Sequence, residues 1–202
     1  MASILKVNEI ETEEIRDANG NVLISSSTSI IRSGEVIEML SSVCNGSNVT
    51  VSSGTYSFQN VTTQQASTDA YADVTGSSIT YTPPADATRV IYRFEMSLYS
   101  VTTHDIGHWK FFIGSDEVVA ARTTYTAQYI GGRYVFTWPI EIGNGDETYY
   151  GRVNTWTSGK TLKMQMRRYG ASNYYNIHGS RYWDGTTSNQ LSIPVLSIIA
   201  LA

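Results

Sequence analysis

The sequence predicts an all-β fold, a jelly-roll-like antiparallel β sandwich with a short extended N-terminal arm. Three observations point there. Beyond about residue 30, apolar and polar residues alternate with period two, the signature of strands with one face in a core and the other in water. Turn residues interrupt that pattern about every ten residues. The 24 serines and 23 threonines, with only 16% charged residues, favour strands and turns over the alanine-, glutamate- and lysine-rich surfaces of helices.

The first segment, residues 1–29, reads as an attachment or docking arm, and residues 30–202 as the head domain. Ile4, Leu5, Val7, Ile10 and Ile15 are spaced too irregularly for an amphipathic helix. Asp17-Ala18-Asn19-Gly20-Asn21 is a turn signal, because asparagine and glycine tolerate positive φ, and Val22-Leu23-Ile24 follows as a short strand. Two short strands around one turn bury too little apolar surface to fold alone. The arm is therefore expected to order against a neighbouring subunit or assembly through Ile4, Leu5, Val7, Ile10, Ile15, Val22 and Ile24.

In the head, Glu35 to Val43 offers the one possible helical turn, bounded by Gly34 and by Cys44-Asn45-Gly46. Short strands are expected at Val49-Thr50-Val51, Thr55 to Phe58 and Ser78 to Tyr81, the last stopped by Pro83-Pro84. Thr88 to Val101 alternates through Val90, Tyr92, Phe94, Met96 and Leu98, and its length places it near the centre of a sheet. Further strands follow at Trp109–Ile113, Glu117–Ala121, Thr123–Tyr129, Arg133–Ile142, Thr148–Trp156, Lys160–Arg168, Tyr174–Tyr182 and Leu191–Leu201. Gly114-Ser115-Asp116, Gly131-Gly132, Gly143 to Asp146, Ser158-Gly159 and Asp184-Gly185 supply the turns between them. An immunoglobulin topology fits less well, since it uses fewer strands for this length and lacks its cysteine and tryptophan frame here. The last strand is almost uncharged and apolar on both faces, so a symmetric homo-oligomer with this strand near the interface is expected.

Composition excludes several functions. A net charge of -4 argues against nucleic-acid binding, which needs concentrated lysine and arginine. Cys44 is the one cysteine, so no disulfide can form within the chain. No run reaches the length of a membrane span, and the chain start lacks a signal-peptide apolar region, so no membrane insertion is expected and synthesis in a reducing cytoplasm is. His104 and His108 stand four apart, but in strand-rich surroundings and without the glutamate of a zinc hydrolase. The carboxylates Glu95, Asp105, Asp116, Glu117, Glu141, Asp146, Glu147 and Asp184 are scattered, mostly in turn segments. The expectation is therefore a protein that is not an enzyme, with no catalytic residues, no metal and no cofactor.

Aromatic residues are the more suggestive feature, since tyrosine, tryptophan and arginine crowd the second half of the chain. Such residues favour interfaces, and their rings also stack on sugar faces. Tyr174, Tyr175, Tyr182 and Trp183 are the candidates for a glycan contact or a subunit interface, because each adjacent pair puts rings on opposite strand faces, so that at least one ring points outward.

Met1-Ala2-Ser3-Ile4-Leu5-Lys6-Val7-Asn8-Glu9-Ile10, followed by Arg16-Asp17-Ala18-Asn19-Gly20-Asn21-Val22-Leu23-Ile24, resembles the N-terminal segment of virion structural proteins from marine tailed phages, especially those infecting cyanobacteria. Weaker likenesses are Ser78 to Pro84, leading into the Thr88 strand, and Ser192 to Ile198. The resemblance implies an arm that joins an appendage to the particle, and a β domain that projects as a homotrimer. It implies a virion protein made in host cytoplasm, bound through its arm to other virion proteins. The chain lacks the long shaft of many fibres, which favours a compact tail component, short fibre or capsid decoration acting in assembly and host-surface adhesion. The alternative is a carbohydrate-binding module or polysaccharide-degrading head that contacts a host surface glycan.

Overall fold

The computed structural model describes residues 14–16, 22–25, 33–100, 104–128, 131–183 and 187–202. The chain divides into two compact units, Met1–Glu35 and Val36–Ala202. In the first, β1 (Glu14–Arg16) and β2 (Val22–Ser25) form an antiparallel hairpin with Ile15 opposite Ile24. The turn expected at Asp17–Asn21 lies outside the described residues.

The second unit is all β. Its strands are β3 (Val36–Val43), β4 (Asn48–Val51), β5 (Gly54–Ser57), β6 (Gln65–Ala66), β7 (Ala72–Asp73), β8 (Ile79–Tyr81), β9 (Arg89–Ser100), β10 (His104–Ile113), β11 (Asp116–Gln128), β12 (Gly132–Glu141), β13 (Lys160–Arg168), β14 (Tyr175–Ile177), β15 (Gly179–Trp183), β16 (Thr187–Leu191) and β17 (Val195–Leu201). No helix occurs among the described residues, so none is long and apolar enough to cross a membrane.

A six-stranded antiparallel sheet is built around β9, as the length of its alternating run predicts. One edge of β9 pairs with β12, and the other pairs first with β17 and then with β14. Beyond β17 lies β3, and beyond β14 lies β6. A five-stranded sheet runs β11, β10, β13, with β8 and β7 pairing successive stretches of β13. The hairpins β4–β5 and β15–β16 complete the unit.

The sheets face each other across one core. Val90, Tyr92, Phe94, Met96 and Leu98 point inward from β9, with Leu196, Ile198 and Ala200 beside them on β17. Trp109, Phe111 and Ile113 of β10 and Leu162, Met164 and Met166 of β13 meet them. The Tyr92 and Phe111 rings lie 4.8 Å apart between the layers, and Phe111 and Phe136 lie 5.3 Å apart. Such ring pairs add about 0.5–1.5 kcal/mol beyond the area they bury.

Five expectations differ. Glu35 to Val43 is not a helical turn: β3 pairs along its length with β17, burying Leu40 and Glu38 while Met39 faces out. Glu117–Ala121 and Thr123–Tyr129 are joined in the single strand β11, which absorbs the irregularity as a wide bulge. Thr148 to Trp156 is a run of turns and isolated bridges, because Gly151 sits at φ 75° and turns the chain back against Val118. Tyr174 to Tyr182 is split into β14 and β15 at His178, a non-glycine residue at φ 63°. The final strand is shorter than expected because Pro194 separates β16 from β17.

Candidate interaction surfaces

The docking residues Ile4, Leu5, Val7 and Ile10 lie outside the described residues, and Ile15, Val22 and Ile24 take their places in the β1–β2 hairpin. Of the aromatic candidates, Tyr174 and Tyr182 point outward, and the Arg168 guanidinium lies 6.0 Å from the Tyr174 ring centroid. Trp183 pairs with Thr187 through the backbone, and its side chain lies outside the described set. Tyr175 is a correction: at 1% exposure it is a core residue and reaches no glycan. Its ring packs beside Trp109, and its hydroxyl occupies the place a side chain on Gly107 would need. Alternation along β14 buries Tyr175 as it exposes its neighbour.

The histidines divide by geometry. His104 and His108 occupy positions four apart on β10, which separates their Cα atoms by roughly 13 Å, too far for one metal ion. His108 bonds Thr124, Nδ1 to Oγ1 at 3.1 Å. His178 is fully buried, with Nε2 donating to the Thr75 carbonyl at 2.8 Å and Nδ1 meeting no partner among the described residues. Burial pushes its pKa down to about 4, against the opposing effect of the Thr75 bond.

Several carboxylates are engaged by cations or hydroxyls. Glu95 pairs with Arg93 and Arg133, Glu141 with Arg152 at 3.2 Å, and Asp105 is buried and accepts from the Ser100 hydroxyl. Glu38 is buried on β3 and accepts from the hydroxyls of Ser52, Ser53 and Tyr81, each at 2.6 Å, and from the Ser53 amide at 2.8 Å. Burial alone would raise its pKa, but these donors outweigh it and hold the carboxyl below its ordinary range. Cys44 is buried with its thiol donating to the Gly76 carbonyl at 3.2 Å, and burial pushes it up to about 12. Such a thiol is inert at neutral pH.

Exposed aliphatic residues gather on the outer side of the six-stranded sheet. Strand register aligns Met39, Ile199, Ile91 and Pro139 in one row across β3, β17, β9 and β12. A second row holds Val43, Val195, Glu95 and Val135. Between them lies Ser41, Ser197, Arg93 and Thr137, where the Ser41 and Ser197 hydroxyls bond at 2.7 Å. Val36 and Met39 are each 56% exposed, and Val43 and Val135 are 43% and 44%. The C-terminal strand, expected near an interface, lends Val195 and Ile199 to this face while β3 and β9 occupy both its edges. Sequence reasoning missed Val36, Met39, Val43 and Val135. The first three lie on β3, where a helical reading of the run hid the strand face that exposes them; Val135 lies on the outward side of β12.

No protein-family model matches the chain, and no curated protein matches it either.

Proposed function

We propose that this protein is a non-enzymatic structural component of a virus particle, a short fibre or capsid decoration. Its jelly-roll-like head self-associates, and its N-terminal segment docks onto other virion proteins. A role in adhesion to a host surface follows from the projecting position of such a head. The virion context rests on the resemblance of residues 1–24. The observation that carries self-association is the apolar outer face of the six-stranded sheet. Four well-exposed aliphatic side chains there stand in register with half-buried ones, where a monomeric sandwich normally places polar residues.

Light scattering of the purified chain over a range of concentrations tests this. The expected mass is three times that of the chain, and a double variant, Met39→Lys with Val135→Lys, should be a folded monomer. Both substitutions are at exposed sites, so circular dichroism should be unchanged. A monomer at every concentration would remove the self-association on which the reading stands.

A further inference from the structure

The opposite layer carries a different surface. On the outer side of the five-stranded sheet, register aligns Thr124, His108 and Arg167 across β11, β10 and β13. Tyr71, two residues before Asp73 on the adjoining β7, continues that row, because Asp73 pairs with Gln165 two residues before Arg167. The next row contains Lys110 and Gln165. Tyr71, His108, Arg122, Thr123, Thr124 and Arg167 border an open depression of about 490 Å³, a size within the roughly 300–1,000 Å³ of small-molecule sites.

Its electrostatics are the reverse of the whole chain's. Lys110, Arg122 and Arg167 stand at or beside the depression with Glu117, which is shared by Lys110 at 2.8 Å and Arg122 at 2.5 Å, while Asp73, in the row of Lys110 and Gln165, is held by Lys163 at 3.0 Å and Gln165 at 2.8 Å. Arg167 has no carboxylate partner among the described residues. Arg122 uses Nε for Glu117, and its terminal nitrogens have no hydrogen-bond acceptor among the described residues. The Lys110 ammonium lies 4.4 Å from the Tyr71 ring centroid and the Arg167 guanidinium 5.5 Å from it, so the ring holds both cations in place. Beside the depression, Tyr169 packs edge-to-face on His108 at 5.7 Å and is 63% exposed.

The backbone is shaped to suit. Trp109 pairs with Thr123 and Phe111 with Val118, so residues 119–122 of β11 bulge opposite Lys110 alone. Arg122 stands two residues before Thr124, so alternation along β11 puts it on the same outer face, at the border of the bulge.

We propose that this depression binds a carboxylated saccharide. The guanidiniums of Arg167 and Arg122 take the carboxylate, for which their planar forks are matched. The Thr124 hydroxyl offers a partner for a sugar hydroxyl, and the exposed Tyr169 ring offers a stacking platform. A nucleic-acid backbone fits less well, because three cations on a chain of net charge -4 cannot match an extended polyphosphate. The inference rests on the adhesion part of the proposed function and names its ligand class. It does not depend on self-association, which uses the other sheet.

The test is calorimetric titration of the full chain with tetragalacturonate and with sialyllactose, with maltotetraose as the neutral control and a ten-residue oligothymidylate as the polyphosphate control. At least one acidic sugar should bind tenfold or more tighter than maltotetraose, and its binding should weaken as salt is raised. Arg167→Gln should weaken it about tenfold and Tyr169→Ala several-fold, with the mass by light scattering and the circular dichroism unchanged. Binding of neither acidic sugar, equal binding of maltotetraose, or indifference to Arg167→Gln would overturn the proposal. So would oligothymidylate binding as tightly as the better sugar, which would make the face a general polyanion surface. Loss of the trimer with sugar binding intact would count against the assembly reading alone.

Discussion

His178 joins backbone strain to a titration. Its φ of 63° breaks the strand, while its amide donates to Ser97 and its carbonyl accepts from Ser192, each at 2.8 Å. The side chain, sealed beneath Phe94, bonds the Thr75 carbonyl and is held neutral. Because the folded pKa of about 4 lies below the ordinary value of 6.5, the native state binds fewer protons than the unfolded chain between those values. This contribution is complete above 6.5 and is lost as the pH falls to about 4, at no more than about 1.4 kcal/mol per pH unit. Urea midpoints should therefore fall between pH 7 and pH 4.5. His178→Asn, which keeps a residue tolerant of positive φ, should be less stable at pH 7 by about 1–2 kcal/mol but show a shallower slope. An unchanged slope would refute the assignment. Glu38 acts in a separate window: its lowered pKa gives stability that is present above its ordinary 4.5 and lost as the pH falls below that.

At the scale of elements, the edge strand β3 is tied down by one carboxylate. Glu38 reaches from β3 to the turn between β4 and β5 and to Tyr81 of β8, so four donors from two other elements converge on it. Tyr81 is in turn covered by Tyr56 at 5.0 Å and by Trp156, whose Nε1 donates to the Tyr81 carbonyl at 3.0 Å. Removing the charge while leaving the donors buried should be costly. Glu38→Gln, whose amide nitrogen cannot accept, is expected to lose about 3 kcal/mol in urea denaturation, and a loss below about 0.5 kcal/mol would show that the turn is held by other contacts. The composition of the same strand explains why its sequence suggests a helical turn. Val36, Ile37, Met39 and Leu40 are apolar on both sheet faces, so the exposed face erases the period-two alternation by which a strand is recognised. The long inner run of β9 was legible because its outward positions include Arg89, Arg93 and Glu95.

At the scale of the molecule, every described residue of the hydrophobic core lies between Leu40 and Ala200, within the second unit. A chain lacking residues 1–32 should therefore unfold in one cooperative transition, with Tm within a few degrees of the full chain; a broad or strongly lowered transition would mean that the head needs its arm. Composition, turn chemistry and the alternation of Val90 to Leu98 by themselves determined the all-β class, the central strand and the order of most elements, because period and turn preference are local properties of the chain. The structure alone decided which of Tyr174 and Tyr175 is buried, that Pro194 and His178 divide strands, and that Met39, Ile199, Ile91 and Pro139 share one face. It alone gathered Tyr71, His108, Arg122 and Arg167 around one depression from four separate stretches of chain. Those juxtapositions come from pairing and register between strands far apart in sequence, and the energy that selects them is that of the packed core, which no local window contains.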